Sequence, residues 1–490
     1  MSDIRRGFFL SSTERYGVLL VNFLTTLVTA RLLTPADFGV AIIGFTAFAL
    51  VDIFREFGGG TYLVQVDDVT PQRAQAVFTI MLFIAFPIAI LLFLAAGAIA
   101  DFYNSPGMVN YLRVTSVCVF LSVFGSPVIA LMKRDLKFGR LALMSSVTTI
   151  LNSAMTITLA SLGFSYMSFA WAQLTSSLVY LTLCILWGPS FPVYRFSLTD
   201  WRRITNYGIF DTAKNILMSL SEAAPVLVLG KTLGTQGLGL YHRAITVSRL
   251  PERTILAGVT PVLLPALAKK VRDGHEIKES FLIGIEYLTV ILWPCLFGII
   301  ILAHPLVYIL LGSQWTSAVP LVRIIAGAYL LSFAMSLPNP TLIAVGAIRD
   351  TVILALLVVP VTVTIQVVAS LYGVHAVAWS FFPQLLYSVA LSMFMVRRRI
   401  GFKWSELFSS MKRSAIVAIF VAIAPATIAV LSGGTDQIGV PEFIIAGIAG
   451  GLCWLLAVRL TNHPIHSEIE RAATAVQRAI ITRVPAERKS

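Results

Sequence analysis

The chain has 490 residues, of which 57% are hydrophobic and only 12% are charged, and its formal net charge is +13. Soluble domains are roughly 45–50% apolar and about 25% charged. The composition, with a mean hydropathy of +0.84, therefore excludes a soluble globular protein and predicts an all-α integral membrane protein.

Apolar runs of about 20 residues, the length that crosses a bilayer as a helix, recur along the whole chain. We identify fourteen of them. In chain order they lie at 13–33, 38–57, 75–99, 109–131, 140–162, 165–187, 207–230, 238–264, 280–303, 318–345, 351–372, 374–396, 413–432 and 441–460. Because the apolar pattern continues directly after the first run, that run is predicted to be a transmembrane helix and not a cleaved signal peptide.

Lysine and arginine concentrate in every second loop between these runs. The loop 133–140 ("KRDLKFGR") and the run 397–399 are basic, whereas the loops near 303–317 and 432–441 contain neither lysine nor arginine. Since basic loops stay on the cytoplasmic side, we predict a multi-pass membrane protein with both termini in the cytoplasm. The same pattern explains the net charge without nucleic acid as a partner.

The tail after the last run carries apolar residues on one side of a helical pattern and basic residues on another. Ile469, Val476 and Ile480 form the apolar side, opposite Arg471 and Arg478. This pattern predicts an amphipathic helix over 465–483 that lies on the inner membrane surface.

The chain has four cysteines, and none forms a CxxC pair or belongs to a cysteine–histidine cluster. They are Cys118, Cys184, Cys295 and Cys453, each within an apolar run. We therefore predict neither a disulfide framework nor a metal site, and we expect buried, inert thiols.

Two hairpins between predicted helices resemble each other. The stretch 31–40 ("RLLTPADFGV") joins the first and second helices, and 231–240 ("KTLGTQGLGL") joins the seventh and eighth. Gly39 then aligns with Gly239. In the first hairpin we predict a structural turn in which Asp37 caps the second helix.

Three further matches follow in the same order in the fourth and tenth helices. They pair Arg113 with Arg323, Ser126-Pro127 with Asn339-Pro340, and Arg134-Asp135 with Arg349-Asp350. An even number of helices in each copy gives parallel repeats about an axis along the membrane normal. We therefore predict two six-helix lobes followed by two extra helices. The boundaries are 1–190 for the N-terminal lobe, 191–400 for the C-terminal lobe, and 401–490 for the extra helices and the cytoplasmic tail.

Ionisable side chains inside membrane helices cost about 2.5–3.5 kcal/mol each at the centre on insertion scales. Those in the predicted helices are therefore the candidate functional residues. The cationic candidates for substrate binding are Arg113, Lys214, Arg243, Arg249 and Arg323. The acidic candidates for coupling or ion pairing are Asp52, Asp211, Glu222 and Glu286.

Structural alternatives stay open for these residues. Asp52, one turn from an arginine, is equally explained by an ion cluster at the membrane interface. Glu222 and Arg249, at similar depth on adjacent helices, are equally explained by an ion pair that packs those helices. Arg113 and Arg323 lie near predicted outer helix ends, where snorkelling explains them as well as ligand contact does.

The excess of arginine in the helices indicates the kind of cargo. A guanidinium fork matches phosphate oxygens bidentately, so a pyrophosphate-bearing cargo suits this chain, whereas a transporter of organic cations would favour acidic residues. The sequence contains no GxxxxGK[ST] loop, HExxH motif or other catalytic constellation. We therefore predict a transporter that is not an enzyme and uses no cofactor or metal.

Four stretches carry a resemblance to a known family. They are 30–65, beginning "ARLLTPADFGV", 132–142 ("MKRDLKFGRLA"), 238–251 ("LGLYHRAITVSRLP") and 310–326 ("LLGSQWTSAVPLVRIIA"). They resemble the polysaccharide transporter family of Wzx-type oligosaccharide flippases, within the MOP superfamily. The resemblance covers residues 1–400, and the last two helices are less characteristic of the family.

The resemblance implies two lobes that open alternately to the two sides of the membrane. It implies a flippase that moves undecaprenyl-pyrophosphate-linked oligosaccharide outward for exopolysaccharide or lipopolysaccharide synthesis. The implied partners are the lipid-linked oligosaccharide, membrane lipid and other polysaccharide assembly proteins. The alternative is a cation-coupled multidrug exporter of the MATE type, in the same superfamily.

Overall fold

A computed structural model describes the backbone of residues 2–66, 68–189, 191–471 and 474. Within those ranges, side chains are described except at 2–13, 15, 210, 211, 213–218, 221, 222, 257 and 260–262. The described residues form helices joined by short turns and contain no strand. The predicted all-α membrane fold is confirmed.

The chain divides into two compact units, Met1–Leu240 and Tyr241–Ser490. The first eight helices belong to the first unit, and the ninth crosses into the second. They are α1 (Ser2–Leu32), α2 (Pro35–Glu56), α3 (Gly59–Gln65), α4 (Pro71–Phe102), α5 (Met108–Arg134), α6 (Phe138–Ser161), α7 (Met167–Leu186), α8 (Trp201–Thr232) and α9 (Gly234–Ser248). The division at 190 and 400 into lobes and extra helices stays a prediction.

Between Leu250 and Leu460 the described residues of the second unit form ten further α-helices and three short 3₁₀ helices. The α-helices are α10 (Leu250–Arg272), α11 (Lys278–Ile301), α12 (Ala303–Leu311), α13 (Val319–Tyr329), α14 (Pro338–Ala344), α15 (Ile348–Ser370), α16 (Val374–Trp379), α17 (Phe381–Ile400), α18 (Trp404–Leu431) and α19 (Val440–Leu460). The 3₁₀ helices are Ser313–Ala318, Ser332–Ala334 and Thr435–Gln437.

Each of the fourteen predicted membrane segments falls on one helix or on successive helices. Among the described residues, ten helices are long and apolar enough to cross a membrane, or eleven with one bent pair. The other three segments coincide with α1, α8 and the pair α9–α10. Among the described residues, α1 and α8 contain the shorter apolar stretches Tyr16–Leu32 and Ala223–Thr232.

Large apolar side chains lie on the outside of the helices. Leu91 and Leu94 on α4 are 66% and 73% exposed, and Val430 and Leu431 at the end of α18 are 79% and 80% exposed. A soluble protein rarely exposes so much contiguous apolar surface. A bilayer solvates it, and helices suit that solvent because all their backbone hydrogen bonds are internal.

Apolar packing inside each unit joins helices that are distant in sequence. In the first unit Leu63 and Met81 are buried in a cluster formed by α3, α4 and α5. In the second unit the Phe281 and Phe402 rings stack with centroids 5.7 Å apart, joining α11 to the turn before α18. These clusters hold the framework that carries the polar groups described below.

A capping box begins α2. The Thr34 hydroxyl accepts the N–H of Asp37 at 3.3 Å, and the Asp37 carboxylate accepts the N–H of Thr34 at 2.9 Å. This pairing satisfies two backbone donors that a helix start leaves open. The predicted cap is therefore present at the start of α2. The N-cap residue is Thr34, however, and Asp37 is its partner at the third helical position. The same carboxylate accepts a hydrogen bond from Ser165 in the turn before α7.

The two similar hairpins contact each other within the first unit. A Cβ added to Gly39 would lie 1.8 Å from the carbonyl oxygen of Thr235, and one added to Gly239 would lie 1.9 Å from that of Pro35. Since Gly39 matches Gly239 and Pro35 matches Thr235, the contacts are reciprocal, as across a two-fold axis. The glycines are therefore required by close backbone approach.

The beginning of the predicted amphipathic tail is helical over 465–471. Ile465 is buried, and Ile469 packs with it against residues of α11, α18 and α19. Residues 472, 473 and 475–490 lie outside the described part of the chain, so the rest of this helix stays a prediction.

The expectation of buried thiols holds for Cys118 and Cys184, whereas Cys453 is half-buried and Cys295 is exposed. Cys295 lines an apolar groove of about 440 Å³ between α11, α18 and α19, beside Trp454. The expectation was wrong for Cys295 because an apolar run in a membrane helix can face outward.

Gly39→Ala tests the contact between the hairpins. The added methyl group would meet backbone, which cannot rotate away, so we expect a loss of about 1–3 kcal/mol in stability. The thermal unfolding midpoint of the purified protein in detergent should fall by several degrees. Gly97→Ala on α4 is the matched control, because no atom lies within 4 Å of its added Cβ. Equal midpoints for Gly39→Ala and Gly97→Ala would contradict the interpretation.

Candidate substrate site

The eighth predicted membrane segment is divided at Arg249. α9 ends at Ser248 and α10 begins at Leu250, and Arg249 lies between them with φ −91° and ψ 0°. Pro251, in the first turn of α10, has no N–H to donate to the preceding turn. The expected continuous helix is therefore wrong here. The chain kinks, although the N–H of Arg249 still donates to the Ile245 carbonyl at 2.9 Å.

The side chain of Arg249 is held by two neighbours. Its Nε lies 3.0 Å from Glu252 Oε2, and its guanidinium lies 5.6 Å from the ring centroid of Tyr329. Glu252 is buried, whereas the Arg249 side chain is 37% exposed. An ion pair and a cation–π contact together orient the guanidinium fork. With Arg253 one turn further along, the kink carries two arginines and one glutamate.

The tenth predicted segment is also interrupted. α13 ends at Tyr329 and α14 follows after a 3₁₀ turn, with a bend of 48° between the two parts. The Trp293 indole donates to the Leu330 carbonyl at 2.8 Å, which satisfies a backbone group at the bend. The predicted segment 318–345 is therefore bent and not a straight helix, and Pro340 lies in the first turn of α14. Its counterpart in the repeat, α5, remains one helix through Pro127.

The two interruptions adjoin where Arg249 meets Tyr329. We call Arg249, Glu252, Arg253 and Tyr329 the kink site. Behind it the Tyr329 ring packs on Phe381, with centroids 5.8 Å apart. Discontinuous helices near the middle of the membrane are where transporters commonly bind substrate and ions. This arrangement can present arginine side chains to an anionic group in a fixed geometry.

Arg243, another substrate candidate, occupies a different environment. Its side chain is buried, and its guanidinium lies 5.9 Å from the ring centroid of Trp315, which is fully buried. A desolvated cation–π contact of this kind contributes up to about 2 kcal/mol. The placement favours a packing role, so substrate contact by Arg243 stays a prediction.

Arg113 and Arg323 lie in the first two turns of α5 and α13, as their match in the repeat requires. Both are exposed. Arg113 lies 5.2 Å over the ring of Phe93, and Arg323 donates to the Thr435 hydroxyl at 3.0 Å. These contacts fit the snorkelling alternative, and substrate contact by either arginine stays a prediction.

Three candidates belong to α8, but their side chains lie outside the described part of the structure. They are Asp211, Lys214 and Glu222. The alternative that Glu222 pairs with Arg249 is therefore untested, while Arg249 does pair with Glu252 within its own segment.

Asp52 pairs with Arg55 one turn along α2. Arg55 Nε lies 2.7 Å from Asp52 Oδ1, and its Nη1 donates to the Ser122 carbonyl at 3.3 Å and to the Ser126 hydroxyl. Arg55 is buried, so this pair joins α2 to α5 inside the first unit. Whether the pair serves coupling or only an ion cluster at the membrane interface stays a prediction.

Glu286 lies beside His463, in the turn after α19. Glu286 Oε1 and His463 Nε2 are 3.6 Å apart, and the Ser414 hydroxyl lies 3.2 Å from Nε2. The Ile465 N–H donates to His463 Nδ1 at 3.2 Å, so the proton of the neutral ring is assigned to Nε2. Ser414 also accepts from Thr289 at 2.9 Å and donates to the Glu286 carbonyl at 3.1 Å. This network, the Ser414 knot, ties α11, α18 and the turn after α19 together.

Sequence reasoning missed the partners that orient these candidates. Glu252 was visible as the residue three positions after Arg249, the spacing of neighbours on one helix face. Tyr329 and His463 had no such signal, because each comes from a segment distant in sequence.

The fold resembles that of solved transporters. A lipid II flippase, MurJ, in an inward closed conformation matches with a TM-score of 0.73 at 14% identity, over 92% of this chain and 98% of MurJ. An inward-facing multidrug resistance MATE transporter of the MOP superfamily matches with a TM-score of 0.63 at 15% identity, over 78% and 94%. This chain therefore shares the fold of these two transporters.

Residues 28–320 match the profile of a family described as polysaccharide biosynthesis protein, and the chain belongs to that family. The succinoglycan biosynthesis transport protein ExoT of Rhizobium meliloti (strain 1021) is 26% identical over 65% of this chain and 64% of its own length. The teichuronic acid biosynthesis protein TuaB of Bacillus subtilis (strain 168) is 21% identical over 84% and 85%. The lipopolysaccharide biosynthesis protein WzxC of Escherichia coli (strain K12) is 24% identical over 64% and 63%.

The chain thus covers just under two thirds of ExoT and of WzxC. The predicted membership of a polysaccharide family is confirmed by the family match.

His463 makes the stability of the second unit depend on pH. Burial, and secondly the charge of Arg413, lower the pKa of His463 to about 4, below the usual value near 6.5. The unfolded chain therefore binds a proton that the folded chain does not. Stability from this group is complete above about pH 6.5 and is lost as the pH falls towards 4.

We expect the thermal unfolding midpoint in detergent to be lower at pH 5 than at pH 7.5. His463→Gln should reduce that difference, since it removes the titrating group. His275→Gln, at an exposed position after α10, is the matched control and should retain it. An undiminished pH dependence in His463→Gln would show that other groups cause it.

Proposed function

We propose that this protein is a flippase that moves undecaprenyl-pyrophosphate-linked oligosaccharide across the bacterial inner membrane by alternating access. It would serve exopolysaccharide or lipopolysaccharide synthesis, with both termini in the cytoplasm and without chemical conversion of its cargo. Family membership supports a role in polysaccharide biosynthesis. Two relatives, the succinoglycan biosynthesis transport protein ExoT and the lipopolysaccharide biosynthesis protein WzxC, support the class of cargo.

The kink site is the observation that carries the proposal. Arg249 stands where one membrane segment kinks, against the end of another interrupted segment, with its guanidinium oriented by Glu252 and Tyr329. A diphosphate offers oxygens in the spacing that a guanidinium fork matches. Arg253 adds a second positive charge one turn away, so the site suits an anion.

The charge of the site also argues against an organic cation as cargo. The carboxylate of Glu252 bonds to Arg249 within the kink site, and that of Asp52 bonds to Arg55 in the first unit. A carboxylate paired with an arginine attracts a second cation weakly, because the two charges largely cancel.

In the proposed cycle, Arg249 binds the diphosphate and Glu252 keeps the fork aligned when the site is empty. Lys214, Arg243, Arg113 and Arg323 remain secondary candidates for contact with the cargo. Glu286, in contact with the Ser414 knot, together with Asp211 and Glu222, remains a candidate for ion coupling. The glycan and the polyprenyl tail are the other two parts of the cargo. Other polysaccharide assembly proteins are the proposed partners that supply the cargo and receive it.

Proteoliposomes that contain a fluorescent polyprenyl-pyrophosphate-linked oligosaccharide test the proposal. Loss of a charge-assisted hydrogen bond costs about 1.5–3 kcal/mol, so Arg249→Ala should slow flipping about 10- to 100-fold. Arg249→Lys, which keeps the charge and loses the fork, should recover part of that rate. Arg272→Gln, exposed in the last turn of α10, is the matched control and should flip as the wild type does.

If Arg249→Ala flips the lipid-linked oligosaccharide at the wild-type rate, Arg249 is not part of the substrate site. Export of ethidium by the wild type, without any flipping of the lipid, would replace the proposed function by that of a multidrug exporter.

A further inference from the structure

The first unit contains a polar cavity that the proposed function has not used. It has a volume of about 360 Å³ and lies among α1, α2, α5, α6 and α7. Nine of its thirteen lining residues carry aliphatic hydroxyl or amide side chains. The other four are the pair Asp52 and Arg55 and the aromatic residues Phe48 and Tyr180. Such a concentration of hydroxyls and amides is unusual inside a bundle of membrane helices, because each costs free energy unless it is hydrogen-bonded.

Three amides in this lining have no protein partner among the described residues. They are Asn22 on α1, Asn152 on α6 and Gln173 on α7, and their side chains form no hydrogen bond with another described group. Asn22 is exposed and Asn152 and Gln173 are half-buried, so these amides are open to a partner from the cavity, and a polar group in a membrane bundle gains free energy from such a hydrogen bond. A set of unpaired amides around one cavity therefore points to a ligand, or to the water that a ligand displaces.

The charges of the lining decide between classes of ligand. Asp52 Oδ1 accepts Arg55 Nε at 2.7 Å, and Arg55 is fixed in turn by the Ser122 carbonyl and the Ser126 hydroxyl of α5. The formal charge of the lining is therefore zero. A guanidinium this close to the carboxylate repels a metal cation or an organic cation, and the carboxylate likewise repels a phosphate. The cavity suits an uncharged polar group.

A sugar ring has the complementary chemistry. Each hydroxyl of a sugar both donates and accepts, and an amide side chain offers both an acceptor oxygen and donor hydrogens. Asp52 Oδ2, which takes part in no hydrogen bond with a described residue, is a further acceptor. Phe48 and Tyr180 supply apolar ring faces for the C–H face of a sugar. The cavity volume of about 360 Å³ lies at the small end of the range for ligand pockets, roughly 300–1,000 Å³. The cavity therefore has room for part of an oligosaccharide.

We propose that this cavity binds an uncharged sugar ring of the cargo glycan, with Asn22, Asn152, Gln173 and Asp52 as its hydrogen-bonding groups. The cavity belongs wholly to the first unit and is a site separate from the kink site. The proposal rests on the proposed function for the identity of the glycan as cargo. The sugar class follows from the lining alone.

Free glycosides test the cavity without lipid or pyrophosphate. Methyl glucoside, methyl galactoside and methyl N-acetylglucosaminide are added in turn to the full-length protein in nanodiscs, and saturation-transfer NMR measures binding. We expect saturation of at least one of them by the wild type. Gln173→Leu and Asn152→Leu, which keep much of the side-chain volume and remove the amide, should each raise the apparent Kd about threefold to tenfold, the loss of about one hydrogen bond.

Thr175→Val on α7 is the matched control. Thr175 is two residues from Gln173 and its hydroxyl bonds to the backbone of its own helix, so this variant should bind as the wild type does. Asn152→Gln, which restores an amide, should bind more tightly than Asn152→Leu. Thermal unfolding midpoints within a few degrees of the wild type identify variants whose folding is intact.

Several results would overturn the proposal. One is the absence of saturation by all three glycosides in the wild type. Another is binding that is equal in Gln173→Leu, Asn152→Leu and the control. A third is displacement of the glycoside by millimolar sodium ions, which would make the cavity a cation site. A fourth is displacement by inorganic pyrophosphate, which would make it an anion site.

Failure of this proposal and failure of the proposed function give different results. If the lipid-linked oligosaccharide is flipped but the cavity variants bind glycosides and flip normally, the sugar site is wrong and the flippase stands. If glycosides bind at the cavity but the lipid-linked cargo is never flipped, the sugar site stands and the flippase is wrong.

Discussion

The hydrocarbon interior of a membrane offers no hydrogen-bonding partner, so a polar group there must be paired by the protein. Side chains meet this constraint at three places where a helix starts or bends or where helices adjoin. The Trp293 indole bonds to the Leu330 carbonyl at the bend between α13 and α14. Thr34 and Asp37 cap α2, and the Ser414 hydroxyl takes part in three hydrogen bonds at once. At these places a side chain forms a hydrogen bond that the backbone helix cannot supply.

The same constraint distinguishes the two polar regions of the molecule. In the first unit the charges cancel, and neutral amides and hydroxyls surround them. In the second unit the kink at Arg249 carries more positive than negative charge. Taken separately, the two regions suit the two polar parts of the proposed cargo, an uncharged glycan and an anionic diphosphate.

Much of the fold was predictable from the sequence, because hydropathy and helix length are local properties. The fourteen apolar runs fall on helices, and the glycines at 39 and 239 marked a repeat whose copies do contact each other. The interruptions at Arg249 and after Tyr329 were not foreseen. Hydropathy averaged over a long window does not reveal a break at a single residue. Proline is also common in membrane helices, so its presence is only a weak indication of a break.

The candidate site was less predictable than the fold. The search for ionisable residues in predicted helices selected Arg249, Arg113 and Arg323 alike. In the structure Arg113 lies against Phe93 and Arg323 against Thr435, both near helix ends. Sequence gives depth in the membrane but not the rotation of each helix about its axis, so it cannot tell which cations meet. His463 escaped notice because a short polar turn after α19 has no periodic pattern that indicates burial.

The contact between the glycines at 39 and 239 has a consequence for how this chain can change over time. Each glycine leaves room for the backbone of the opposite hairpin, four residues before the opposite glycine. An inserted or deleted residue in one hairpin moves its glycine and its carbonyl together, and so disturbs both contacts. The rest of the predicted repeat is not bound by this contact, and α13 and α14 differ from α5 in being interrupted. The lengths of these two loops, however, could only be kept or altered jointly.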